Sequence, residues 1–125
     1  MRNFISCCFF LVAFFSCTEL EDVVRPYPRI RTLEIVKLNN NSIHARGEIT
    51  STQEPIIDHG FIWSTKKDSP VNIFKHFKLS LGAADDIGIF EADLEGLTSG
   101  VKYYVKAYAK SDTYTVYGEI LEITL

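Results

Sequence analysis

From residue 31 to residue 124 the chain alternates apolar and polar positions in short runs, the period-two pattern of strands whose side chains flip face at every residue. The clearest run follows a corner carrying Gly96 and Gly100: Tyr103, Val105, Ala107 and Ala109 point one way, and Tyr104, Lys106, Tyr108 and Lys110 the other. Ser42 to Thr50 repeats the pattern, with Ile43, Ala45, Gly47 and Ile49 on one face and His44, Arg46, Glu48 and Thr50 on the other. It forms a hairpin with the Leu-, Ile- and Val-rich segment Arg31 to Leu38 across the turn Asn39-Asn40-Asn41, because Asn tolerates left-handed backbone.

Three more strands are expected after the loop Ser51 to Pro55. Ile56 to Ser64 sets His59, Phe61 and Trp63 against Gly60 and Ile62. Asn72 to Leu81 is β-compatible, with its two faces poorly separated, and Ile87 to Leu94 turns Phe90, Ala92 and Leu94 inward and Glu91 and Asp93 outward. A turn at Ser111-Asp112-Thr113 leads to a last strand, Tyr114 to Thr124. No run shows helical spacing, so the expected fold is all-β, an antiparallel β-sandwich of about seven strands.

Residues 1–29 follow a different pattern. After Arg2, Phe4 to Phe15 is a nearly unbroken apolar run of about twelve residues, short of the roughly 20 that span a bilayer but of signal-peptide length. Ser16-Cys17 closes it, and Glu19, Glu21 and Asp22 follow. This junction resembles a bacterial lipoprotein signal, in which the cysteine is acylated and becomes the mature N-terminus. Phe14 and Phe15 depart from the usual Leu and small residue there, and an ordinary secretory signal or an uncleaved anchor are the other readings. The acidic run resembles the signal that exports lipoproteins to the surface of the outer membrane in Bacteroidetes-type bacteria. The expected division is a signal peptide over 1–16, acylated Cys17 with a flexible, proline-containing tether over 17–29, and a domain over 30–125.

Composition excludes several classes. A net charge of -3 without a basic run gives no nucleic-acid footprint. Cleavage before Cys17 would remove Cys7 and Cys8 and leave no pair of thiols to join, so the domain must stand on its hydrophobic core.

The run Leu94-x-x-Leu97-x-x-Gly100-x-x-Tyr103-x-Val105-x-Ala107-x-Ala109 is similar to the corner and following strand of fibronectin type III domains, which are immunoglobulin-like sandwiches. With Gly60-Phe61-Ile62-Trp63-Ser64, Phe90 to Leu94, and Tyr117-Gly118-Glu119, residues 30–125 resemble the fibronectin III-like modules of Bacteroidetes lipoproteins. The resemblance implies that Tyr103 is the tyrosine of a tyrosine corner, its hydroxyl bonded to backbone a few residues upstream. Ser99 stands where the family commonly has Pro.

Candidate chemistry is sparse. Asp58 and His59 are adjacent and so face opposite sides of a strand; His44, His59 and His76 lack ligand spacing; Asp85-Asp86 reads as a solvated turn. Neither a catalytic set, a metal site nor a cofactor is expected. Arg46, Glu48, Glu91 and Asp93 are expected to pair across neighbouring strands. The candidate binding residues are Tyr104, Lys106 and Tyr108 on the outward face, with Tyr114 and Tyr117 nearby, because rows of aromatics suit sugar rings or protein surfaces. The function expected is a non-catalytic module of the cell envelope, held in the outer membrane by acyl chains on Cys17, that binds a protein or glycan or mediates adhesion. The alternative is a structural or accessory subunit of an outer-membrane glycan-uptake or fimbrial assembly.

Overall fold

The structure, a computed structural model, describes residues 26–66 and 77–125. Cys17, the leader, the tether as far as residue 25, and Asn72 to His76 of the expected fourth strand lie outside the described residues.

Among the described residues eight strands form two antiparallel sheets: β1 (Arg29–Asn39), β2 (Ser42–Ser51), β3 (Ile56–Ser64), β4 (Phe77–Ala84), β5 (Gly88–Leu94), β6 (Lys102–Lys110), β7 (Thr115–Tyr117) and β8 (Leu121–Thr124). One sheet has the order β1-β2-β5, and the other β4-β3-β6-β7, with β8 also on β6. The inward residues of the alternating runs meet between the sheets. Ile43, Ala45, Phe61, Leu94, Val105 and Ala107 are buried there, and Ile49, Ile56 and Ala109 extend the core toward the opposite end. The architecture is the all-β sandwich that the alternation predicts.

The corner before β6 is built locally. Gly100 has φ 83°, a left-handed conformation that side chains with a Cβ rarely adopt. It lets the chain reverse so that Tyr103 Oη accepts the Thr98 N–H at 2.8 Å, five residues upstream. Leu97 N–H donates to Asn41 O, and Asn41 Nδ2 donates to Leu97 O, both at 2.9 Å, so the β1–β2 turn is stitched to the corner.

The structure departs from expectation in three places. The fourth strand runs on to Ala84, three residues past Leu81. Pro28 is fully buried and Tyr27 packs edge-on against Tyr114 with ring centroids 6.1 Å apart, so the end of the tether belongs to the domain. The last strand is two strands, broken between Tyr117 and Leu121. The break has a cause on β1: a Cβ on Gly118 would stand 2.6 Å from both the backbone nitrogen and Oγ1 of Thr32, so only glycine allows this approach. Glu119 turns toward β1, accepting Thr32 N–H at 2.8 Å and Arg31 Nε–H at 3.1 Å. In the gap, Thr32 Oγ1 accepts the N–H of Ala107 at 2.9 Å and ties the two sheets together.

Candidate functional site

The outward face of the larger sheet holds the residues the sequence singles out, and cross-strand register decides what they do there. Gly60 of β3 lies opposite both Ser80 of β4 and Tyr108 of β6, and Tyr108 lies opposite Tyr117 of β7. A Cβ on Gly60 would meet Leu79 O at 2.0 Å and Tyr108 Cε2 at 3.2 Å. The bare glycine therefore leaves a trough, and the Tyr108 ring lies over it, an aromatic–glycine pairing of neighbouring strands. Tyr108 is only 2% exposed.

Its hydroxyl donates to Asp58 Oδ2 at 2.9 Å, and Ser80 Oγ donates to Asp58 Oδ1. Lys78 Nζ completes the cluster, 3.6 Å from Asp58 Oδ2 and 5.0 Å from the centroid of the Tyr108 ring. Burial, followed by the hydrogen bond to Asp58, raises the Tyr108 phenol well above its ordinary pKa. For Asp58, partial burial works against the charged form, but the bonds from Ser80 and Tyr108 and the charge on Lys78 together outweigh it and hold the carboxyl below its usual range.

Lys106, also outward, is only 6% exposed, and its Nζ sits 4.0 Å from the centroid of the Tyr117 ring. Burial lowers its pKa. Ile62 lies in register between Lys78 and Lys106 and is likewise buried. Tyr104 is half-exposed, in register with Ser64 on one side and Glu122 on the other. The expected open row of Tyr104, Lys106 and Tyr108 is thus corrected. The side chains point outward as the alternation requires, but Tyr108 and Lys106 are covered by their cross-strand neighbours and only Tyr104 keeps substantial solvent contact. Asp58, Ser80 and Lys78 were missed. The available signal was the glycine at position 60, whose meaning depends on knowing that Tyr108 stands opposite it.

The outward face of the smaller sheet is different. His44 Nε2 lies 2.6 Å from Glu91 Oε1 and Nδ1 lies 2.7 Å from Asp93 Oδ1. A neutral imidazole carries one N–H, so donation to both carboxylates requires the imidazolium. The hydrogen bond to Asp93, then that to Glu91, raises the His44 pKa. Arg46 pairs with Glu34 of β1 at 3.2 Å. The expected partners of Glu91 and Asp93 are corrected accordingly: His44 takes both, and Arg46 turns to the other side.

His59 points inward, its Nδ1 2.7 Å from Gly82 O and its ring edge-on to Phe90 at 4.7 Å, away from Asp58. Asp85 and Asp86 are exposed, and Asp86 Oδ1 accepts the Ile87 N–H at 3.0 Å. Among the described residues no group of three or more His, Cys, Asp or Glu converges as a metal site would require.

No family model matches the chain, and no curated protein does. Among solved structures it is similar to the sensor domain of the anti-sigma factor RsgI4 of Pseudobacteroides cellulosolvens. The TM-score is 0.60 at 13% identity, covering 82% of this chain and 96% of that one. At that identity the likeness speaks for the shared sandwich fold.

Proposed function

We propose that this chain is a non-catalytic module of the cell envelope, anchored in the outer membrane by acyl chains on Cys17, with a fibronectin type III-like domain that docks a protein partner. The observation that carries it is the apolar run ending at Ser16-Cys17, followed by acidic residues and a short proline-containing tether that leads directly into a single sandwich. Each buried acyl CH₂ contributes about 0.8 kcal/mol, so two or more chains hold the protein effectively permanently. The strand orders β1-β2-β5 and β4-β3-β6-β7 support the fibronectin likeness. A sensor domain as structural neighbour is compatible with a module that meets partners rather than converts substrates. Protein is favoured over glycan because Tyr108, the middle of the aromatic row on which sugar rings would stack, is closed over Gly60.

Metabolic labelling with a palmitate analogue tests the anchor. Wild type is expected to take up label and fractionate with outer membranes, and Cys17→Ala is expected to do neither. Protease treatment of intact cells then reports surface exposure. An unlabelled wild-type chain would sink the anchoring proposal.

A further inference from the structure

The two sheets end differently on the side where β4 passes into β5. Among the described residues β5 pairs only with β2, so its outer edge offers a row of backbone N–H and C=O groups without strand partners. Natural edges are commonly blocked by a bulge, a proline or an inward-pointing charge. The seven residues Gly88-Ile89-Phe90-Glu91-Ala92-Asp93-Leu94 contain no proline, pair with β2 without a register shift, and turn both charges outward. By contrast, the pairing of β4 with β3 shifts register beside His59 and Gly60.

We propose that the outer edge of β5 is a docking site for an extended segment of a partner protein, a strand alternating basic and apolar residues. This rests on the reading of the chain as a protein-docking module and names its surface. Charge supplies the first half of the pattern. On the outward side Glu91 and Asp93 stand beside the open edge with about half of each side chain exposed, 51% and 48%, and share one cation, His44. Arg46 is held by Glu34 on the far side of β2. A strand laid along β5 therefore meets two carboxylates for one imidazolium, and lysine or arginine there gains cross-strand partners.

The core supplies the second half. Phe90 and Ala92 point between the sheets yet remain only partly buried, as does Leu79 on β4, because nothing described closes this flank. Apolar residues at the alternate positions of an added strand would cover them and extend the core by one row. A second copy of β5 does not fit this requirement. Antiparallel self-pairing centred on Glu91 sets Glu91 against Glu91 and Asp93 against Ile89, bringing carboxylates together with no new cation.

The test uses the full chain in nonionic detergent micelles and two seven-residue peptides, one alternating lysine with valine and one alternating glutamate with valine. Amide chemical-shift changes centred on residues 88–94 are expected with the lysine peptide, with affinity at least tenfold higher than for the glutamate peptide. Two further lysine peptides are N-methylated, one at every lysine and one at every valine. Alternate amides of a strand point to opposite edges, so one methylated peptide should lose binding and the other keep it. The Glu91→Lys/Asp93→Lys variant should reverse the preference, with its amide spectrum as the check that it folds. If that variant fails to fold, Glu91→Gln/Asp93→Asn should lower affinity for the lysine peptide and raise it for the glutamate peptide, so that the preference narrows.

Equal binding of both methylated peptides, equal affinity for both charge types, a β5-mediated dimer without peptide, or slow hydrogen exchange along the outer edge of the free chain would each overturn the proposal. Those results are separable from failure of the envelope reading, which depends on Cys17 labelling alone.

Discussion

The outward faces of the two sheets carry the same kind of alternating sequence and end in opposite states. On β6 the outward Tyr108 and Lys106 are 2% and 6% exposed, whereas on β5 the outward Ile89 is 54% exposed. The difference comes from the neighbour. Gly60 leaves a trough that a tyrosine ring fills, while among the described residues β5 has a strand neighbour on one side only. Exposure in a sheet is a property of a cross-strand row, and a strand read alone gives the direction of a side chain without its accessibility.

The strongest way to break the comparison is to fill the trough. Gly60→Ala places a methyl group against the Leu79 carbonyl, where the gap is 2.0 Å, at a residue with φ 155°. Backbone must move, separating β3 from β4 and displacing Tyr108. We expect a loss of about 4 kcal/mol, above the usual ~1–3 kcal/mol of overpacking because the obstructing atom is a backbone carbonyl, measured by urea unfolding. A neutral result would mean that the close approach of Gly60 to the Leu79 carbonyl does not exist.

Removing the ring asks whether the closed face is structural. Tyr108→Ala takes away the cover over Gly60 and leaves Asp58 with one fewer donor, and should cost about 3 kcal/mol, the low end for large aromatics. Tyr104→Ala, four residues away on the same face and partly exposed, should stay within about 1 kcal/mol. Similar losses in the two variants would erase the distinction between covered and open outward positions. On the inner side of the same strand, Tyr103→Phe keeps the ring and loses the bond from Thr98 N–H. Thermal unfolding should report a loss of about 1 kcal/mol, smaller than that from the outward Tyr108→Ala.

The features legible in the sequence were those whose cause is local. The direction of Tyr103 and its neighbours follows from period two, and the corner from a few adjacent residues ending at Gly100. What escaped depends on partners distant along the chain. The break at Gly118 is set by Thr32 on β1, and a run from Tyr114 to Thr124 reads as one strand until that approach is known. The burial of Tyr108 needed the pairing of β3 with β6. His44 was passed over as a ligand lacking spacing, because its two carboxylates come from β5, 47 and 49 residues later. Arg46 does stand opposite Glu91 in register, but a charged row has several possible partners, and Glu34 on the other flank takes it.

The open face yields the smallest effect and the most direct reading of its charge. The His44 pKa is raised in the folded chain above the ordinary histidine value by its hydrogen bonds to Asp93 and Glu91. The stabilisation is therefore fully present below the unfolded value and is lost as pH rises through the folded one. Above that pH the ring keeps one N–H, so one carboxylate faces a lone pair, and β5 is held to β2 by one fewer side-chain bond. Unfolding midpoints should fall from pH 6 toward pH 9 in the wild type and fall less in His44→Gln, which cannot acquire or lose the charge. Because the His44 side chain is 28% exposed, added salt should shrink the difference. Equal slopes in the two proteins would show that the imidazolium does not hold Glu91 and Asp93 together, and the two faces would then differ in exposure alone.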